Sequence, residues 1–182
     1  MTTDTTTGKR RLWWRHAISV AVFPATMAIV VPALIAVAAG VRLAGPGSGP
    51  AIASVIAGAL LIAGGVALMI WTVVLFDRFG AGTLGIGSVM GEPVHLVVRG
   101  PYRHVRNPMI TGVLCILLGE AAVTLSGWLL GWFAVFAVAQ VLAIRCWEEP
   151  HLLDRYGSAY REYRRHVPGW IPRVTPWTPQ AT

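Results

Sequence analysis

The sequence predicts an all-α protein: a multi-pass transmembrane helical bundle of about four spans, with a cytoplasmic C-terminal amphipathic helix. Three observations predict it. Of 182 residues, 55% are hydrophobic and only 13% charged, about half the charged fraction of an ordinary soluble domain. Uncharged runs long enough to cross a bilayer recur along the chain. All fifteen cations except Arg42 fall in residues 9–15, 78–106 and 145–173, which border those runs. With four spans, both termini and the middle loop share one face and hold fourteen of the fifteen cations, the pattern of a cytoplasmic face. The net charge of +7 is therefore read as orientation in the cell (inner) membrane with both termini cytoplasmic, and no nucleic-acid partner is expected.

Residues 1–15 read as a disordered, Thr-rich, basic tail in which Trp13 and Trp14 form an interfacial anchor. The apolar run after it is too long for a signal-peptide core and lacks an obvious cleavage site, which favours an uncleaved span. Residues 16–76 form a first transmembrane hairpin. Its first span, 16–41, is kinked by Pro24 and Pro32; "RLAGPGSGPA" is the turn; and 52–76 is the second span, where Ser54 and Gly58 allow close helix packing. Residues 77–182 form the second half of the molecule. Within it, 77–107 is a cytoplasmic loop, 108–125 and 128–146 are helices joined at Ser126-Gly127, and Glu120 is the one charge in that hairpin. Beyond Pro150, the residues Leu152, Tyr156, Tyr160 and Tyr163 recur at helical spacing, with Arg155, Arg161, Arg164 and Arg165 on other faces. Gly157 weakens that pattern. "VPGWIP" ends the helix, with Trp170 at the interface.

Charge near a membrane is costly and invites a functional reading. Asn107 is a suitable N-cap and Pro108 suits the first helical position, so a helix starts there beside Arg103, His104 and Arg106. Its free N–H groups and the arginines make an anion site; the same arginines also satisfy the positive-inside rule with no ligand. The hairpin returns residue 147 to this face, bringing Glu148 and Glu149 close to the arginines. Such a pocket suits a ligand with charge of both signs. An ion pair such as Arg106 with Glu148 would use the same residues without one. Glu120 is either a proton or substrate contact or, the reading favoured here, protonated and hydrogen-bonded to a neighbouring helix. "GAGTLGIG" lacks the lysine and the context of a phosphate loop. Cys115, Cys146 and the scattered histidines give no metal or disulfide pattern.

"GPYRHVRNPMITGVL", a hairpin, then "EEPHLLDRYGSAYREYRRHVPGWIP" together resemble the isoprenylcysteine carboxyl methyltransferase and phospholipid methyltransferase superfamily, in particular its small bacterial members. The likeness covers about residues 94–172. It implies a membrane enzyme using S-adenosyl-L-methionine, enclosed between the last hairpin and the cytoplasmic tail. Carried over by motif, His95, Leu96, Val97, Tyr102, Asn107, Pro108, Met109, Ile110 and Glu148 contact the cofactor. Arg145 lies near the position of a substrate-binding arginine. Asn107 replaces the motif's histidine, and Ile110 replaces its tyrosine, removing a hydroxyl. Joined to the charge pattern, the resemblance places the cofactor carboxylate at Arg106 and Asn107 and its cationic part at Glu148. An amine acceptor must lose a proton, which Glu149 or His151 could take. The expected partners are the lipid bilayer and a lipophilic or amphipathic acceptor that can enter near Glu120, with no metal. Two other readings stay open: a membrane reductase of the sterol-reductase type, and a non-enzymatic helical membrane protein that retains the fold.

Overall fold

The computed structural model describes residues 26–43, 49–79, 96 and 98–178. Expectations for the N-terminal tail, for Pro24, for residues 80–87, and for His95 and Val97 lie outside them. Every regular element among the described residues is helical. A π-helical turn, Thr26–Val30, leads into α1, Val31–Ala38. Pro32 has no N–H to close on the carbonyl of Ala28, and the wide turn sits where that bond is missing. Helix α2 spans Gly49–Phe79. It starts inside the expected Gly/Pro turn, because Pro50 fits a first helical turn, and it runs past the expected end at Phe76.

Helix α3, Pro108–Thr124, and helix α4, Gly127–Ala143, form the expected hairpin. Ser126 caps α4 by accepting from the Leu129 N–H at 3.4 Å. The left-handed residue of the turn is Leu125 (φ 51), not the neighbouring glycine. After α4 the chain does not break. A second π-helical turn, Ile144–Glu148, passes directly into α5, Glu149–His166, so that Gly127–His166 is one helical run. Gly157 interrupts α5 with φ 53 and ψ −122, a conformation that needs glycine.

Glycines set the spacing of α2 and α3, which cross antiparallel. A Cβ on Gly58 would lie 2.7 Å from the Gly119 carbonyl, and one on Gly119 would lie 2.6 Å from the Gly58 carbonyl. Gly65 and Gly112 repeat the arrangement at 2.5 and 2.8 Å. The two backbones therefore touch at points seven residues apart on each helix, an approach only hydrogen side chains permit. Ser54 adds a hydrogen bond from its hydroxyl to the Ala122 carbonyl (2.9 Å), so the close packing expected at Ser54 and Gly58 is present. Thr72 is fully buried on the same helix and donates to the Leu68 carbonyl at 2.8 Å.

Ala28, Val113, Ile116, Leu117 and Phe136 form the core of the bundle, with Met69 and Trp132 packed against it. Trp132 also donates its indole N–H to the Met27 carbonyl (3.2 Å). Outward-facing positions are apolar as well: Ile56, Leu60, Ile70, Leu130 and Val138 are all exposed. Helices apolar on every side belong in lipid. Two are long and apolar enough to cross a bilayer, Gly49–Leu75 and the run Gly127–His166, while Thr26–Ala38 and Pro108–Thr124 are shorter apolar segments.

Candidate functional site

The site is built on the eight residues before α3. Gly100 opens a 3₁₀ turn, Gly100–Arg103, with φ 52, and a Cβ there would meet the Trp71 indole nitrogen at 3.3 Å. That contact seats the segment against α2. Val105 is buried, which turns its neighbours His104 and Arg106 toward the C-terminal part of the chain.

Arg106 is the hub. Its Nη1 donates to Glu149 Oε1 at 2.6 Å and to the Tyr160 hydroxyl at 3.2 Å, and its Nε donates to the Val167 carbonyl at 3.0 Å. Its backbone N–H donates to the Pro168 carbonyl at 2.9 Å. The other oxygen of Glu149 takes Arg164 Nη1 at 3.2 Å. Burial works against the charge on Arg106, but Glu149 and Tyr160 outweigh it and hold the pKa above the ordinary arginine value. Nη2 points toward Gly169. A Cβ on Gly169 would come within 3.2 Å of it, so the absence of a side chain there keeps that nitrogen clear.

Glu148 lies beside this pair. Burial raises its pKa, the Glu149 charge raises it further, and Arg106 opposes both. Water nonetheless reaches the residue, which counts as exposed. Tyr102 lies close enough to feel it: its hydroxyl is pushed well up by burial, then by Tyr163 and by Glu148. Tyr160 and Tyr163 are also pushed up, chiefly by burial and against the pull of Arg106. All three remain neutral hydroxyls.

The chain past α5 folds back as a strap over residues 103–107. The Arg173 N–H donates to the His104 carbonyl (3.0 Å), His104 Nδ1 meets the Arg173 carbonyl (2.8 Å), and the Trp177 N–H donates to the Arg103 carbonyl (3.0 Å). Arg103 donates from Nε to the Trp177 carbonyl at 2.8 Å and from Nη2 to the Thr178 hydroxyl. Tyr160, Tyr163 and Val167 form a second core beneath it, with Leu96, Leu152, Tyr156 and Trp177 around them. Tyr163 also donates to the Tyr102 carbonyl at 2.7 Å.

The structure thus gathers Tyr102, Arg106, Asn107, Glu148 and Glu149 at the N-terminal end of α3, with Pro108, Met109 and Ile110 forming its first turn. Leu96 belongs to the second core, and Arg145 is exposed on the π turn. Two details differ from expectation. Asn107 holds the N-cap position but makes no side-chain cap; its Nδ2 donates to the Gly169 carbonyl at 3.2 Å, which turns the side chain to the strap. The ion pair is Arg106 with Glu149, not Glu148. A π turn holds one residue more than an α turn, so the one at Ile144–Glu148 shifts by one the carboxylate that meets Arg106. Glu120, farther along α3, has a buried Oε2 with no hydrogen-bond partner among the described residues. Sequence reading missed the strap, Gly169 and the hydroxyl of Tyr160. The "VPGWIP" stretch was the one available signal for the strap, and it was read as interfacial.

Residues 53–159, more than half of the chain, match the phospholipid methyltransferase family. Methanethiol S-methyltransferase 2 of Bradyrhizobium diazoefficiens is 37% identical over 101 residues, covering 54% of this chain and 38% of that protein. The chain thus aligns with well under half of that relative's length. No solved structure matches significantly.

Proposed function

The chain belongs to the phospholipid methyltransferase family, and on that premise we propose that it is an integral membrane methyltransferase. It takes S-adenosyl-L-methionine as methyl donor and acts on a lipophilic or amphipathic acceptor at the cytoplasmic face. The proposed topology has four spans: the two long apolar helices plus the shorter apolar segments Thr26–Ala38 and Pro108–Thr124. The bilayer is the protein's environment and the route by which its acceptor arrives.

One observation carries the cofactor reading. A guanidinium with room beside its Nη2, Arg106, and an accessible carboxyl, Glu148, lie near each other at the start of α3. Those groups fit a donor that bears a carboxylate, an ammonium and a sulfonium. Arg106 and the first N–H groups of α3 would hold the carboxylate, and Glu148 the cationic part. Tyr102, Met109 and Ile110 would line the remaining walls, with His95 and Val97 as proposed contacts from the preceding segment. S-adenosyl-L-methionine, when bound, supplies a methyl group on a good leaving group, so the protein's task is mainly alignment.

Glu149 has one oxygen on each of two arginines. That pairing suits holding Arg106 in place more than accepting a proton. A carboxylate acceptor needs no base. For an amine or thiol, the exposed His151 is the other expected proton acceptor. Arg145, one turn before Glu148 and exposed, would meet an anionic acceptor. The relative named for methanethiol makes a small thiol one candidate acceptor. The reductase and non-enzymatic alternatives gain no support from the family match.

Calorimetric binding of S-adenosylhomocysteine to detergent-purified protein tests the reading. Micromolar binding is expected, weakened about tenfold by Glu148→Gln, the size of one lost charge-assisted contact. Unchanged affinity in that variant removes Glu148 from the site. No binding to folded wild-type protein removes the cofactor.

A further inference from the structure

We infer that the tip of the C-terminal strap, residues 170–174, seats in the headgroup layer of an anionic leaflet. The inference rests on α3 entering the bilayer at Pro108, as proposed above, and not on the identity of the cofactor. Depth comes first. The Arg106 N–H donates to the Pro168 carbonyl at 2.9 Å and Asn107 Nδ2 to the Gly169 carbonyl at 3.2 Å. Residues 168 and 169 are thereby tied to the two residues that precede the first turn of α3. The tip follows immediately, at the depth where that helix meets the membrane surface.

Its side chains fit that position. Ile171 is 80% exposed and Val174 95%. They do not project from a loose tail, because the backbone on either side is fixed: Gly169 by Asn107, Arg173 by His104 and Trp177 by Arg103. An ordered segment that holds out two large apolar side chains is unfavourable in water and favourable at a lipid boundary. Trp170, beside them, and Trp147, 78% exposed at the same end of the molecule, are of the residue type that collects at that boundary.

Charge selects the leaflet. Residues 99–106 and 145–173 carry nine arginines and four acids. A surface with that excess is drawn to anionic headgroups, by about 1 kcal/mol for each cation near the surface. The strap then has two faces. One binds the segment that presents Arg106, and the other binds lipid.

The test uses the full chain with Cys115→Ala and Cys146→Ala, carrying a single environment-sensitive fluorophore at Val174→Cys. It is reconstituted in nanodiscs of phosphatidylglycerol or phosphatidylcholine, each doped with a nitroxide lipid. Quenching by the nitroxide is expected in both, about twofold stronger in phosphatidylglycerol, and reduced there by salt. Equal quenching in the two lipids overturns the anionic preference. Quenching by aqueous iodide alone overturns the inference. Ile171→Cys, labelled in the same way, reads the same outcomes if the Val174 variant does not elute as a folded protein.

Discussion

Between α2 and α3 contact is made by what is absent: four glycines let two carbonyls of each helix sit where a Cβ would be. Around Arg106 contact is made by what is present, four hydrogen-bond groups converging from α5 and the strap on one guanidinium and its backbone. The first region is uniform along its length and tolerates no added atom. The second is a single node whose parts come from residues up to 62 positions away. Lipid offers no hydrophobic drive between helices, so close van der Waals contact must supply it. The end that carries the arginines can use charge.

That contrast can be broken most severely at the glycines. Gly65→Leu puts a side chain 2.5 Å from the Gly112 carbonyl, a backbone atom that cannot move aside without parting the helices. Loss of more than about 4 kcal/mol is expected, seen as failure to recover monodisperse protein by size exclusion. Gly64→Leu, at a position with nothing within 4 Å, is the control and should elute as wild type. Equal behaviour of the two would mean that the helices are not held by backbone approach.

The node responds next. Glu149→Leu leaves Arg106 and Arg164 without their carboxylate, and breaking a buried pair this way costs about 3 kcal/mol, a fall in Tm of about 10 °C. Arg106→Met with Glu149→Leu should recover about half of it, since no charge is then stranded. Recovery stays partial because the Val167 carbonyl still loses its donor. A double variant as unstable as the single one would show that the backbone bonds, not the ion pair, hold the node.

These two regions also differ in how far the sequence revealed them. Uncharged runs bounded by Pro108, by Ser126-Gly127 and by clustered arginines marked the helices, because crossing lipid constrains every residue of a span. Ser54 and Gly58 signalled close helix packing for the same reason, though not that α3 is the partner. Arg106, Glu148 and Glu149 were rightly brought to one end, yet the partner was misassigned. A π turn leaves no composition signal, and one added residue moves Glu149 to where Glu148 was expected. The strap was hidden more deeply. Its bonds run through the carbonyls of Val167, Pro168, Gly169 and Arg173, and a backbone carbonyl is the same at every position in a sequence.

A smaller effect concerns pH. Glu148 titrates above the ordinary glutamate range, so the folded protein keeps that proton to higher pH than the unfolded chain. The corresponding stability is present at low pH and is lost as pH rises through the folded value. A cationic ligand group prefers the carboxylate. Affinity for S-adenosylhomocysteine should therefore climb as pH rises through the raised Glu148 value, then level off. In Glu148→Gln the profile should be flat. A wild-type profile that is flat over the same range would mean that Glu148 does not face the ligand.

The least effect is expected at the far end of the α3–α4 hairpin, away from both regions. Leu125 adopts φ 51, which costs an L-residue about 1–2 kcal/mol. Glycine removes that strain but loses about 0.5–1 kcal/mol through the freedom it gains when unfolded. Leu125 is 59% exposed, so little packing is lost with its side chain. Leu125→Gly should thus stabilise by about 0.5 kcal/mol, raising Tm by about 1–2 °C. A fall instead would mean that the leucine side chain anchors the turn in lipid, and that burial there outweighs backbone strain.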